Sequence, residues 1–448
     1  MTTEATESFA PIREGARIQL LDVLRGLAVC GILPVNIIVM GTVGDTQGLT
    51  YPARWNADWI TWSLQHVLLE GPMRGLFTIL FGAGMLIMLR RTEGERPDIV
   101  PIDVWARRCL ALLLLGIVQF AVFLWPGEIL WTYGVAGLAL LAFRTARPRT
   151  LWLWALLIML GLSAFRTYDT GERVTTYQRA HSAEVAQAAG RWISSEEKQA
   201  LDAARAAQAA VYPSDDSLAE EVRQRTSIGG LLRWSASGWA ARHLGNYSWW
   251  GVAESLGFML VGMALYRSGI LTGAGSMSRY RSMLLWGCGI GLLLRSADLA
   301  WQARTGFELD LHRLSLTASL LRSFLYEPAR LALTLGYIGL IVLLFRSGAF
   351  GAAHAVRALG RMALTTYCLQ SILTSILFYG FGYVGAFDFV SLMIVSVGIW
   401  TATALFCVWW LKHSPIGPAE RLLRALAYNS LRSDHRPQAE IVAGSPPL

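Results

Sequence analysis

The first long apolar segment of the chain, residues 18–40, contains three polar residues, Asp22, Arg25 and Asn36. Ionisable side chains at membrane depth are costly unless they are paired or face an aqueous cavity. A helix that carries them must therefore pack with this face inward. We take this segment as the first candidate for a functional site.

The chain is far more apolar than a soluble domain of 448 residues, with 54% hydrophobic and 16% charged residues. Apolar windows long enough to cross a hydrocarbon core of ~30 Å recur along it. We predict an all-α fold, a polytopic transmembrane helical bundle of about ten spans. The spans are residues 18–40, 73–89, 110–125, 129–143, 151–165, 249–266, 283–299, 331–345, 362–381 and 389–411.

The positions of the arginines predict the orientation. The loops that would be cytoplasmic each hold several arginines, whereas the alternate loops at 126–128 and 382–388 have no basic residue. This bias is typical of the positive-inside rule, so both termini are predicted to be cytoplasmic. The net charge of +8 is explained in the same way, and we expect no nucleic acid partner.

The spans divide the chain into four regions. Residues 1–167 form a bundle of five spans, 168–248 an extracytoplasmic helical insert, 249–412 a second bundle of five spans, and 413–448 a cytoplasmic tail that is partly disordered. Within the insert, Ser194 with Glu197 resembles a capping box and predicts a helix start. The five cysteines show no CxxC spacing, so neither a disulfide framework nor a metal site is expected.

Helical phase relates the three polar residues of the first span. Asp22 and Arg25 are three residues apart and can pair on one face. Asn36 lies eleven residues after Arg25, which at about 100° per residue returns to within about 20° of the same direction. A polar shaft for an anionic, phosphate-bearing donor is one interpretation. A structural ion pair with an interhelical amide hydrogen bond is the other.

A second cluster lies around residues 66–84. His66, Glu70 and Arg74 follow one another at intervals of four, and His66 is the best general-base candidate because it is the histidine closest to a span on the outer side. An interfacial histidine in a belt of tryptophans is the alternative. Glycines at 71, 75, 82 and 84 predict close helix packing.

Further polar residues occur near the ends of spans. Glu128 is placed to cap the N-terminus of the fourth span. The short-range pairs Arg295 with Asp298 and Glu327 with Arg330 favour a polar vestibule on the outer side. In the ninth span, Thr366 and Gln370 form a polar stripe that would bind a neighbouring helix or a substrate.

Several motifs resemble those of the YeiB-like bacterial membrane proteins, the domain of unknown function 418 family. They are LDVLRG at 21–26 with VN at 35–36, EG at 70–71 with LFGAG at 80–84, GEILWTY at 127–133, GRMALTTYCLQS at 360–371 and GPAER at 417–421. The resemblance implies a multi-pass protein of the bacterial inner membrane.

The first span also resembles the opening helix of membrane acyltransferases of the acyltransferase-3 type and of heparan acetyltransferase relatives. In the former a histidine stands eleven residues after the arginine, where this chain has Asn36. Asparagine cannot act as a general base, so another residue must take the proton. The heparan-type relatives, whose first span ends in a comparable asparagine before a later histidine, are the better match, with His66 as the analogue.

These resemblances imply an acyltransferase that moves an acyl group from a cytoplasmic acyl-CoA donor to an extracytoplasmic hydroxyl or amine. The candidate catalytic residues are His66, Glu70 and Asn36. The candidate substrate-binding residues are Asp22, Arg25, Arg74, Glu128, Arg361 and Gln370. Expected partners are membrane lipids and a small-molecule, lipidic or glycan acceptor, and a homo-oligomer stays open. A transporter or exporter of a small polar or lipidic molecule and a non-catalytic scaffold for envelope assembly are the alternatives.

Overall fold

A computed structural model of the protein describes residues 14–44, 49, 53, 55–95, 100–310, 313–351 and 353–428. Over these ranges the secondary structure is helical throughout, without a strand, which confirms the all-α fold. The disorder predicted for the end of the tail falls after Tyr428 and lies outside these ranges.

The first part of the chain forms six helices. They are α1 (Glu14–Gly41), α2 (Ala57–Leu68), α3 (Pro72–Glu95), α4 (Pro101–Ala121), α5 (Leu130–Leu140) and α6 (Pro148–Ala188). Proline is the first residue of α3, α4 and α6. Its missing N–H is no loss there, because the first N–H groups of a helix have no intrahelical acceptor.

The insert is helical, as predicted, and begins without a break. The single helix α6 crosses the predicted boundary between residues 167 and 168, and α7 (Ser195–Val211), α8 (Asp215–Thr226) and α9 (Ile228–His243) follow. The predicted capping box is confirmed. The Glu197 backbone N–H donates to Ser194 Oγ at 3.2 Å, and the Ser194 N–H donates to the Glu197 carboxylate at 2.7 Å.

The last part of the described chain contains eight helices, two of which continue into π-helical turns at Met283–Cys288 and Ile376–Gly380. They are α10 (Ser248–Arg267), α11 (Met277–Ser282), α12 (Gly289–Thr305), α13 (Leu316–Arg346), α14 (His354–Arg361), α15 (Ala363–Ser375), α16 (Phe389–His413) and α17 (Pro418–Tyr428).

Eight helical segments in the described ranges are long and apolar enough to cross a membrane. A ninth is counted if α14 and α15, which are bent by 91° at their junction, make one span. The helix at Leu130–Phe143 is apolar but shorter. Each of the ten predicted windows falls on one of these elements. The predicted number of ten spans is therefore reached only if the bent pair counts as one span and the short helix as another.

Glycines set the closest helix crossings. A Cβ atom at Gly82 of α3 would lie 2.1 Å from the Met259 carbonyl oxygen of α10, and one at Gly262 would lie 1.9 Å from the Ile79 oxygen. A Cβ atom at Gly26 of α1 or at Gly360 of α14 would lie equally close to backbone atoms of the facing helix. Any side chain at these positions would push the helices apart.

The prediction of close packing is therefore confirmed at Gly82. It is wrong at Gly84, where a Cβ atom would meet no other atom within 4 Å. Gly84 instead lines a cavity.

Arg225 attaches the insert to the end of α1. Its guanidinium is buried and donates to the carbonyl oxygens of Met40 and Thr42, both at 2.5 Å, and it stacks over the Trp234 ring at 4.4 Å. The last carbonyls of a helix lack intrahelical donors and carry partial negative charge, so a buried cation stabilises this end. The insert is thus held over the end of α1 that follows Asn36.

Candidate functional site

Two of the cavities between the described helices contain predicted site residues from the first span. The first, called here the arginine cavity, measures about 440 Å³. It is lined by Arg25, Arg108, Arg361 and Arg424. The second, called the insert cavity because α9 forms part of its wall, measures about 690 Å³. Its charged lining residues are Glu70, Arg74, Glu128, Arg166, Arg242, Glu254 and Arg330.

The arginine cavity carries a positive excess. Arg25 pairs with Asp22 at 3.2 Å, which confirms the predicted ion pair. Arg361 donates to the Pro415 carbonyl oxygen at 3.0 Å, and Arg108 keeps a buried Nε without a partner. A charged ligand that enters this cavity would meet guanidinium groups that the protein has not neutralised.

Glu420 is the one carboxylate among the described lining residues of the arginine cavity, and it is engaged elsewhere. It accepts the backbone N–H groups of Leu364 and Thr365 at 2.7 and 3.1 Å and therefore caps α15. A carboxylate at a helix N-terminus is stabilised by the unpaired N–H groups there. Its charge is directed to the helix and not to the arginines.

A thin aromatic layer separates the two cavities. Tyr133 lines both of them, and its hydroxyl contacts the Thr78 hydroxyl at 2.5 Å. Beside it, Trp125 of the insert cavity donates its indole N–H to the hydroxyl of Tyr367, which lines the arginine cavity, at 3.2 Å. One side chain therefore borders both cavities at Tyr133, and two side chains in contact lie between them at Trp125 and Tyr367.

Behind one wall of the insert cavity, a histidine joins two carboxylates. His66 Nδ1 contacts the Glu70 carboxylate, and Nε2 lies 3.0 Å from Asp298 Oδ2. Arg322 binds the same aspartate. Only Glu70 of this group lines the cavity, with 37% of its side chain exposed, whereas His66 is buried and stacks on Trp62.

The contact of His66 with Glu70 does not run along one helix. The helix α2 ends at Leu68, α3 begins at Pro72, and Gly71 between them has a φ of +86°. That left-handed conformation is accessible to glycine at little cost. The turn brings Glu70 back toward His66 and leaves it facing the cavity.

Arg74 belongs to a second buried network. It pairs with Glu254 of α10, which also accepts from Arg330 at 2.5 Å, and Arg330 binds Glu327 at 3.0 Å. The predicted Glu327–Arg330 pair is therefore confirmed. Two arginines share Glu254, so none of these charges stands alone.

The predicted pair of Arg295 with Asp298 is wrong. Arg295 donates to the backbone carbonyl oxygens of His66 and Val67, the latter at 3.1 Å. The carbonyls at the end of α2 lack intrahelical donors and compete for the guanidinium. Asp298 is occupied by His66 and Arg322.

Glu128 caps the fourth predicted span, as expected. Its carboxylate accepts the backbone N–H groups of Leu130 at 2.5 Å and Trp131 at 3.0 Å, and the Trp239 indole N–H at 3.1 Å. Burial nevertheless raises the pKa of Glu128 above its ordinary value. Proton uptake by this carboxyl is therefore easier than at the surface.

His243 lies beside this carboxylate, with Nε2 3.2 Å from Glu128 Oε1. Burial, together with the neighbouring Arg242 charge, lowers the pKa of His243 to about 4. The imidazole is therefore neutral at pH 7. No spacing in the sequence relates His243 to Glu128, because the contact joins residues 115 positions apart.

The remaining predicted site residues are divided between the cavities and the core. Asn36 lies on the same helix as Arg25 but lines the insert cavity, so the two do not share one shaft. Gln370 is buried with its amide nitrogen unpartnered and lines neither cavity. Thr366 donates to the Leu359 carbonyl oxygen at 3.2 Å and so acts within the helix packing.

The sequence interpretation missed Arg108, Arg424, Tyr133, Arg242 and Glu254 as lining residues. Of these, Tyr133 lay inside a motif already noted, and Glu254 is an acidic residue within an apolar span, which is a usable signal. In the described ranges, no three His, Cys, Asp or Glu side chains are placed to hold a metal ion.

The helices and cavities define a polytopic α-helical membrane protein with a polar cavity on each side of an aromatic layer. The chain belongs to the family of YeiB-like proteins described as "Protein of unknown function (DUF418)", whose profile matches residues 265–430. It is 30% identical to "Uncharacterized protein YeiB" of Escherichia coli over 91% of this chain and 95% of the relative.

A second relative extends the similarity to another bacterium. "Uncharacterized protein YxaH" of Bacillus subtilis is 28% identical over 94% of this chain and 97% of its own length. No solved structure shows a significant match to the chain. The family resemblance inferred from the motifs is confirmed.

Proposed function

We propose that this protein is an acyltransferase of the bacterial inner membrane. It would take an acyl group from a cytoplasmic acyl-CoA and transfer it to a hydroxyl or amine of an acceptor at the outer face. One observation carries the proposal: a cationic cavity and a carboxylate-bearing cavity approach from opposite directions and are separated by Tyr133. Two substrates held there would meet without crossing the membrane.

The arginine cavity suits the donor. Coenzyme A carries several phosphate charges, and guanidinium groups bind phosphate through paired N–H donors. Arg25, Arg108 and Arg424 supply such groups in one cavity. The positive-inside rule assigns this arginine-rich end to the cytoplasm, where acyl-CoA is made available.

The insert cavity suits the acceptor. Glu70 faces this cavity and would take the proton from the acceptor hydroxyl or amine, with His66 behind it. His66 is held between Glu70 and Asp298, so it fixes the orientation of the Glu70 carboxylate and offers a second site for the proton. His66 itself would be a positioning residue because it does not line the cavity.

The proposed step is a single acyl transfer. The acceptor oxygen or nitrogen attacks the thioester carbonyl carbon while Glu70 accepts its proton. The new bond to the acyl carbon forms, the carbon–sulfur bond breaks, and the coenzyme A thiolate leaves and receives the proton from Glu70, which becomes a carboxylate again. Asn36 lines the same cavity and would donate its amide N–H to the carbonyl oxygen as negative charge develops there.

The direct test is to incubate the purified protein in nanodiscs with acetyl-CoA and with longer acyl-CoAs. Binding and the slow release of free thiol would be measured. We expect saturable binding and thiol release that ends when Glu70 is replaced by glutamine. Failure of the wild-type protein to bind any acyl-CoA at millimolar concentration would refute the proposal.

Transport is the second candidate, because two polar cavities on opposite sides of a thin layer also favour alternating access. The two functions differ in whether the thioester is consumed. Uptake of a polar solute by proteoliposomes without thiol release would favour a transporter. Thiol release that depends on Glu70 would favour the acyltransferase.

A further inference from the structure

The insert cavity has more positive than negative charge. Four arginines line it, Arg74, Arg166, Arg242 and Arg330, against the three carboxylates Glu70, Glu128 and Glu254. Their pairing matters more than their number, because only a charge without a partner is available to a ligand. Arg74 and Arg330 are already bound to Glu254.

Arg242, at the end of the insert helix α9, has no such partner. Among the described residues it makes neither a hydrogen bond nor an ion pair. Glu128 is the nearby carboxylate, but its oxygens are occupied by three N–H donors. Its side chain is exposed and lines the cavity, so the guanidinium is accessible to a ligand.

Arg166 is also weakly paired. Its nearest carboxylate oxygen, on Glu327, lies 3.9 Å away, and its buried Nε has no hydrogen-bond partner. The guanidinium stacks over the Tyr326 ring at 4.1 Å. A stacked guanidinium keeps its N–H donors free at the ring edge, where they can bind a planar or tetrahedral anion.

Two accessible guanidinium groups in one cavity attract an anion and keep N–H donors available to bind it. We propose that the acceptor is anionic, an alcohol that carries a phosphate ester. Its phosphate would bind the two arginines of this cavity that are unpaired or weakly paired, Arg242 and Arg166, and its hydroxyl would face Glu70. The role as acceptor rests on the proposed acyl transfer, whereas the anion site does not.

Phosphate is favoured because each guanidinium offers several N–H donors. A phosphate ester has enough oxygen atoms to accept hydrogen bonds from two guanidinium groups at once. Such a group could come from a lipid headgroup or from a soluble phosphate ester. The test therefore has two arms, one with glycerol 1-phosphate and one with phosphatidylglycerol. Glycerol and phosphatidylcholine are the matched ligands without net negative charge.

In the soluble arm, glycerol 1-phosphate is titrated into the full-length protein in phosphatidylcholine nanodiscs and followed by calorimetry. We expect binding of the phosphate ester but not of glycerol. Arg242→Gln should weaken it by about tenfold, because hydrogen bonds to a charged group are lost. Arg233→Gln is the control, since Arg233 lies exposed on the same helix α9 and donates only to the Gly229 carbonyl oxygen.

In the lipid arm, the protein is exchanged into nanodiscs of mixed lipids and its retained lipids are counted by native mass spectrometry. Enrichment of phosphatidylglycerol in the wild-type protein and its loss in Arg242→Gln would identify a headgroup as the source. Arg242→Lys keeps the charge, so it should retain part of the binding in either arm. This variant also serves if Arg242→Gln does not fold.

Acyl-CoA binding is measured on the same samples, so the two proposals can fail separately. If neither phosphate probe binds in preference to its neutral partner, or if Arg242→Gln binds as the wild type does, the anion site is refuted whatever happens with acyl-CoA. If a phosphate probe binds through Arg242 but acyl-CoA does not bind, the anion site stands and the acyltransferase proposal fails.

Discussion

The two cavities use arginine in opposite ways. In the arginine cavity, Arg108 keeps a buried Nε without a partner and the one lining carboxylate is bound to a helix end. In the insert cavity, most charges are fixed in networks such as Glu70–His66–Asp298 and Arg74–Glu254–Arg330. The first cavity is prepared to bind charge, whereas the second holds most of its charges in defined positions and leaves Arg242 and Arg166 available to a ligand.

The difference has a physical consequence. Preorganised charges cost no rearrangement at the moment of reaction, whereas unneutralised cations attract a ligand from solution. A reaction that needs both a charged donor and an oriented base would use one cavity of each kind. The predictions below test the helix crossing that supports both cavities, the fixed carboxylate, an arginine of the arginine cavity and the neutral histidine.

The largest effect is expected at the crossing of α3 and α10, two helices that contribute residues to the cavities. Replacing Gly262 by leucine places a side chain against the Ile79 backbone and forces α3 and α10 apart. Overpacking of this kind costs about 3 kcal/mol or more, so we expect a large loss of folded protein. The measurement is thermal unfolding in detergent. Gly161→Leu is the control, because a side chain there meets no atom within 4 Å. Equal behaviour of the two variants would contradict the close crossing.

The next effect concerns the fixed carboxylate. Glu70→Gln keeps the shape of the side chain but removes the base, so we expect kcat for thiol release to fall by about 100-fold to 10,000-fold. Acyl-CoA affinity should be unchanged, because Glu70 lies in the other cavity. Glu220→Gln, exposed on the insert, is the control. A parallel loss of binding would show that the cavities are not independent.

A smaller effect is expected for the free arginines. Arg108→Gln should weaken acyl-CoA binding by about tenfold, since one charged contact to phosphate is lost. The dependence of affinity on ionic strength should also become shallower. Titrations at low and high salt check both, with Arg233→Gln as the matched control. An unchanged salt dependence would remove Arg108 from the donor site.

The smallest effect concerns pH. His243 has a pKa of about 4 in the folded protein, against an ordinary value of 6.5. Between these values the unfolded chain binds more protons, so the free energy of unfolding decreases as the pH falls through this window. His243→Gln removes that contribution, and its Tm should fall less steeply between pH 7 and pH 5 than that of the wild type. Parallel Tm curves would show that His243 titrates normally.

Local spacing predicted part of this arrangement. The Asp22–Arg25 pair, the Ser194 capping box and the Glu128 cap each depend on residues two to three positions apart. Such contacts follow from helix geometry alone. The same logic failed for Arg295 and Asp298, because partners on another helix competed for both.

The networks that distinguish the cavities could not be predicted in this way. Arg74 and Glu254 are 180 residues apart, and His66 and Asp298 are 232 apart. Their contact is decided by which helices pack together, and a single sequence with two similar apolar bundles does not specify that. Asn36 and Arg25 illustrate the same limit of prediction from local spacing. Helical phase predicted that they share one face of the helix, but they line different cavities.

The unbroken helix α6 joins the insert to the membrane part of the fold without a hinge loop. Its 41 residues extend from a membrane span into the insert, where Ala180 packs against Leu201 of α7. A helix of this length is about 60 Å long, so a tilt of about 5° at one end moves the other by about 5 Å. Because no loop interrupts this helix, the position of its outer half follows the orientation that packing gives to the membrane span.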